Sequence, residues 1–311
     1  MRPSALRTAQ NWNAQGNTGA TDRRQSGRVV LLLRHPSCLR AFVPSCLLCF
    51  SLLAAGCVTI TPPAAAPAAD AEPPLPRPVI VIGGFVDPIF TATHVASHVR
   101  RETGETRVLA VHPGWLLGFD DAAEMVVDAV EKHFPSADPD ETIEVDVIGI
   151  SMGGLTARHA AAPGGAFGKR LNIRRLYTTG APHSGAQAAN FFGIFGTAAA
   201  MRSTSPFLAR LAEREQRTAE DDYEIVAWAR GRDLAIGSAG LKLPEHLEGE
   251  FIHYPQAWYT PSHLWVYRDG RILRDIVKRL EEEELSHQDA KGRRDGETAA
   301  DEQRFTRMTG E

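Results

Sequence analysis

The residues Gly149-Ile150-Ser151-Met152-Gly153, followed by Gly154, are the part of this chain whose types and spacing could do chemistry. A serine hydroxyl is a weak nucleophile until a neighbouring base takes its proton, and it must stand where a substrate can reach it. Glycines on both sides allow a strand to turn sharply into a helix, which exposes the serine at the carboxyl end of a sheet. There the N–H of Met152 and the helix N-terminus face negative charge developing on a substrate oxygen. Chance alone produces a G-x-S-x-G often enough that the pentapeptide is weak by itself, and an ordinary glycine-rich turn is the alternative. Its context gives it weight: an apolar run leads in and a helical pattern leads out.

The elements that must position this serine alternate in kind. Val79-Ile80-Val81-Ile82, ended by Gly83-Gly84, is apolar at every position, as a strand covered on both faces must be. Arg107–Val111, Ile143–Ile148, Arg174–Thr179 and Tyr223–Ala229 repeat the strand signal. Between them, Asp121–Phe134 carries Met125, Val126, Ala129, Val130 and Phe134 at helical spacing before Pro135, and Gly154–Ala162 reads as the helix after the serine. Ile272, Leu273, Ile276, Val277 and Leu280 mark a closing amphipathic helix. Alternation of this kind predicts an α/β fold with a mainly parallel sheet flanked by helices. The stretch from Gln187 to Arg217, with Phe191-Phe192-Gly193-Ile194-Phe195-Gly196, reads equally as a small cap after the fifth core strand or as ordinary helix packing.

Gly149–Gly154 with Leu155-Thr156-Ala157-Arg158 resembles the nucleophile elbow of α/β-hydrolases of the lipase and esterase type. Thr178-Thr179-Gly180-Ala181-Pro182-His183-Ser184-Gly185-Ala186 is similar to the segment after the next strand in that family. The usual lipase elbow has histidine before the serine, where this chain has Ile150. The likeness runs from about Val79 to Leu280, and it implies the α/β-hydrolase fold and acyl hydrolysis without fixing the substrate. It also implies a second oxyanion donor in the loop after the first core strand. Here that loop is Gly83-Gly84-Phe85, which makes the Phe85 N–H the partner of Met152, although the loop histidine common in similar lipases is absent.

The order implied for a triad is serine, then acid, then histidine. His263, in Pro261-Ser262-His263-Leu264, precedes the closing helix, where the family places its base. His253 is the runner-up. His246, His183, His159 and His287 are weaker, as loop or core residues, too early in the chain, on the elbow helix or in the tail. Asp233 follows the strand Tyr223–Ala229, and an aspartate just past a strand end can reach the histidine loop. Asp221, Asp222 and Glu224 stand before or at the start of that strand. The expected catalytic set is Ser151, His263 and Asp233, with Phe85 and Met152 at the oxyanion and Gly149 and Gly153 shaping the elbow. Ester hydrolysis by an acyl-enzyme is the implied activity on an acyl ester or lipid-like substrate. A thioesterase, an acyltransferase and a non-catalytic envelope lipoprotein using the fold as a binding scaffold are the alternatives.

Composition bounds the rest. The chain has 311 residues, 43% hydrophobic and 23% charged, with a formal net charge of −4, a globular profile. Residues 1–56 hold seven arginines and one aspartate, so the remainder is acidic and offers no footprint for nucleic acid. Neither H-E-x-x-H nor G-x-x-x-x-G-K-[ST] occurs, and no cofactor or metal is expected. The four cysteines, Cys38, Cys46, Cys49 and Cys57, all lie near the N-terminus. No charged residue occurs from Ala41 to Ala69, and the apolar run there is short for a membrane span. Leu53-Ala54-Ala55-Gly56-Cys57 resembles a bacterial lipobox, which implies cleavage before Cys57, its diacylation, and membrane anchoring in the cell envelope on the periplasmic face. The expected organisation is an extension with signal peptide (1–56), a Pro/Ala-rich tether (57–78), one hydrolase domain (79–285) and a charged tail (286–311).

Overall fold

Val79–Ile82 (β2) has no residue with measurable exposure, because helices cover both faces of the strand. It is an interior strand, third in a seven-stranded sheet seen in a computed structural model, which describes residues 59–64, 73–85, 90–114, 117–165, 167–192, 196–217, 223–256 and 263–282. The other strands are β1 (Thr59–Thr61), β3 (Val108–His112), β4 (Val145–Ile150), β5 (Ile173–Thr179), β6 (Glu224–Arg230) and β7 (Gly249–Tyr254). Their order is β1-β3-β2-β4-β5-β6-β7, with β1 antiparallel to β3 and every other pairing parallel. The fold class expected from the sequence is the one observed: a mostly parallel sheet flanked by helices.

The alternation of side chains along each strand divides the core into two layers. Val79, Val81, Ile148, Ile150, Tyr177 and Trp228 face α1 (Phe90–Thr103) and the helix over residues 270–282, named α8 below. Ile80, Ile82, Val147, Leu176 and Ile225 face α2 (Phe119–His133) and α3 (Met152–Ala161). Four further helices lie beyond β5: α4 (Gln187–Phe192), α5 (Gly196–Ala200) and α6 (Pro206–Glu215) before β6, and α7 (Ser238–Leu241) after it. Of the two readings left open for the segment after β5, α6 takes the packing one. Its Phe207 stacks on Phe119 of α2 with ring centroids 4.1 Å apart, and Leu211 is buried in a third cluster with Met152 and Leu155.

The start of the domain differs from expectation. The segment expected as a tether is part of the domain wherever it is described. Thr59, Ile60 and Thr61 pair with His112, Val111 and Ala110, and Leu75 is buried in the core, its N–H donating to Glu105 Oε2. Proline-rich composition favours extended backbone, and extended backbone serves an edge strand as readily as a solvated linker. The elements α1 and β7 carry no plain mark in the sequence, the first being built on small residues (Ala92, Val95, Ala96, Val99) and the second being an edge strand exposed over much of its length. Cys57, residues 1–56 and the tail 286–311 lie outside the described residues, as do Asp221 and Asp222.

Candidate active site

The turn from β4 into α3 carries Ser151 at φ 51° and ψ −121°, and Ser151 is the non-glycine residue with positive φ among the described residues. Its N–H donates to Thr179 O at 2.9 Å, tying the turn to the end of β5. Close approach explains two of the surrounding glycines. A Cβ on Gly149 would stand 2.6 Å from the Cα of Gly154, and one on Gly153 would stand 2.2 Å from Ile82 O. Larger residues would push the first turn of α3 away from β4 and from the end of β2, and the serine would move with it.

Three separate segments bring polar side chains to this turn. Ser151 Oγ lies 3.0 Å from His263 Nε2, and His263 Nδ1 lies 2.8 Å from Asp233 Oδ2. The other oxygen, Asp233 Oδ1, accepts from the N–H groups of Ala235 and Ile236, both at 3.0 Å. The carboxylate accepts from all of these donors, so the ring proton sits on Nδ1 and leaves Nε2 free to accept from the serine hydroxyl. Ser151 and Asp233 are buried and His263 is partly open to solvent. A hydroxyl, an imidazole directed at it and a carboxylate against the ring's other nitrogen are therefore contiguous.

Met152 opens α3, so its N–H has no acceptor within the helix. Phe85 lies in the loop after β2 and packs against the cluster that contains Met152. The contact of Gly153 with Ile82 O and Gly83 O brings that loop against the start of α3, where two oxyanion donors would have to converge. The residues after it, 86–89, lie outside the described residues.

Four of the other candidate histidines are engaged elsewhere. His253, on β7, has Nε2 2.7 Å from Gly231 O, and His246 has Nε2 2.8 Å from Glu215 Oε2. His159, on α3, sits between Asp120 (2.6 Å) and Arg214 (3.0 Å). His183 is fully buried, with Nε2 2.9 Å from Thr178 Oγ1. Among the described residues, no three His, Cys, Asp or Glu side chains converge as a metal ion would require.

Burial, reinforced by the Arg158 charge, holds the His183 imidazole well below its ordinary pKa, and burial together with Arg214 lowers that of His159 against the opposing pull of Asp120. Both rings are neutral in the folded protein at pH values where the unfolded chain takes up protons. Both rings thus favour the fold above about pH 6.5 and weaken it as the pH falls below that value, with His183 contributing a slope approaching ~1.4 kcal/mol per pH unit. Urea unfolding at pH 7.5, 6.5 and 5.5 checks this, with a flat profile across that range contradicting it.

No protein-family model and no curated protein matches the sequence. Several solved structures resemble it. The mature lipase BlEst2 of Bacillus licheniformis is 14% identical, covering 72% of this chain and 98% of its own, with a TM-score of 0.47. Lipase B of Aspergillus fumigatus is 13% identical over 75% of this chain and 55% of its own (TM-score 0.44). The thioesterase RedJ of Streptomyces coelicolor is 19% identical over 68% and 90% (TM-score 0.36). Likenesses this distant are similarities only, and the functional reading rests on the chain's own residues.

Proposed function

We propose that this protein hydrolyses carboxylic esters through an acyl-enzyme on Ser151. The observation that carries the reading is the unbroken chain from Ser151 Oγ through His263 to Asp233, at 3.0 and 2.8 Å, built on a backbone turn held at positive φ. His263 Nε2 takes the serine proton as Oγ attacks the carbonyl carbon, and Asp233 stabilises the imidazolium that results. The tetrahedral oxyanion is met by the N–H groups of Phe85 and Met152. The imidazolium then protonates the leaving alkoxide. Water, deprotonated by the same ring, releases the acid and frees the serine.

Side chains around the site favour an apolar acyl group. Leu234 is 80% exposed and follows Asp233 directly, while Leu264 and Trp265, 58% and 44% exposed, follow His263. Apolar groups of this size left in water, each next in the chain to a residue of the proposed triad or one further on, are suited to covering a hydrocarbon chain. A fluorophosphonate probe tests the reading, because an activated serine reacts and an ordinary one does not. Stoichiometric labelling at Ser151 is expected, and a folded protein that resists labelling favours the scaffold alternative.

A further inference from the structure

A buried charge stands behind the site with no part in the chemistry proposed above. Arg158 lies on α3, seven residues after Ser151, and is 1% exposed. Its Nε and Nη2 donate to the two oxygens of Glu215 at the end of α6, both at 2.8 Å. Its Nη1 donates to His183 O at 2.9 Å and stands 3.5 Å from His183 Nδ1. Apolar residues fill buried volume at lower desolvation cost than an ion pair. What a guanidinium adds is a rigid fork that fixes several partners in direction at once.

The partner of Nη1 leads back to the reacting groups. His183 belongs to the turn after β5, and that turn is stitched to the segment following Asp233. Ala188 N–H donates to Ala235 O at 2.8 Å, Gln187 N–H to Ile236 O at 2.9 Å and Ser184 N–H to Gly240 O at 3.0 Å. Ala235 and Ile236 are the residues whose N–H groups hold Asp233 Oδ1. The same turn begins at Gly180, with φ 61°, where a Cβ would stand 3.5 Å from His263 Nδ1 and 3.7 Å from Asp233 Oδ2. The turn is thus both the floor under the acid–base pair and the backing of the acid loop.

We infer that Arg158 is a positioning residue, which through His183 O locks the segment carrying Asp233, and with it His263, at a fixed distance from the serine that precedes its own helix. This rests on the reading of Ser151, His263 and Asp233 as a triad. Displacement of a catalytic group by about 1 Å costs on the order of a hundredfold in rate, so a lock of this kind is worth that much to the reaction.

Two variants of the full chain test it. Arg158→Met/Glu215→Leu removes both charges together, which avoids leaving either buried and unpaired. Arg158→Lys keeps a cation beside Glu215 but loses the fork. Each is measured for its thermal midpoint, the rate of fluorophosphonate labelling, and the His263 Nδ1 proton and ring titration by NMR. The double variant is expected to fold cooperatively yet label about a hundredfold more slowly, with the Nδ1 proton signal lost or the His263 titration displaced. Arg158→Lys should fall between it and the parent. Labelling within about threefold of the parent, with His263 unchanged, overturns the inference and assigns Arg158 to stability alone. Should the parent itself not label, the ester-hydrolase reading fails, while the His263 resonance still decides whether Arg158 positions the acid–base pair. Should the double variant unfold, Arg158→Lys decides by the same readings.

Discussion

Ser151→Ala is expected to lower kcat on a simple aryl ester by about six orders of magnitude, and His263→Ala by a similar factor. The two losses should not add. In the proposed mechanism His263, 3.0 Å from Ser151 Oγ, takes the serine proton, so once either group is gone the other has nothing to do. The double variant should therefore be no slower than either single one, with residual turnover supplied by the oxyanion donors and by binding. Circular dichroism should show all three folded, because removing a hydroxyl or an imidazole at the mouth of the site opens no cavity in the two main core layers. His253→Ala serves as the contrast, since that ring bonds Gly231 O on an exposed edge strand and should leave turnover close to the parent's. If His263→Ala retains turnover within about tenfold of the parent, the base has been misassigned.

The second large effect is expected at Asp233, and its geometry says why the amide is a harsh replacement. In Asp233→Asn the position of Oδ1 must still accept from the N–H groups of Ala235 and Ile236, so the amide oxygen goes there. The NH2 group is then turned toward His263 Nδ1, where a donor faces what was a donor. The ring can satisfy it only by moving its proton to Nε2, the nitrogen that must accept from Ser151. Loss of kcat by about ten-thousandfold, with little change in KM, is the expected outcome. Steady-state kinetics measure both constants, and a loss below about tenfold would show that another carboxylate orients the ring.

Much of this architecture can be read from residue order because two-sided burial leaves a plain mark. Val79–Ile82 and Val145–Ile150 have every residue buried, and the first is apolar throughout. The elbow is legible for a different reason: its glycines are dictated by backbone approaches of less than 3 Å, so they occur at fixed offsets from the serine. Asp233 and His263 lie 30 residues apart in the chain, and their meeting follows from both standing in loops at the same end of the sheet. The margins of the sheet are less legible. β1 is three residues long, β7 is partly exposed, and α1 buries mainly alanine and valine, so none of them carries a strong period. Arg158 and His183 illustrate another limit, since a charged or titratable side chain by its type suggests solvent, and only tertiary contacts reveal that both are enclosed.

The backbone of Ser151 has a consequence for how this chain persists over generations. A φ of 51° is unfavourable for any residue with a Cβ, by on the order of 1–3 kcal/mol, and nearly free for glycine. Substitution of glycine there would relieve the turn and leave the fold more stable. A lineage selected only to stay folded would therefore drift toward that glycine, because stabilising changes are readily found and seldom resisted unless they remove an activity. Serine at this position is the residue that stability alone disfavours. On the proposed reading, the cost of that serine in stability is the cost of keeping a nucleophile, and Ser151→Gly should raise the thermal midpoint while abolishing turnover.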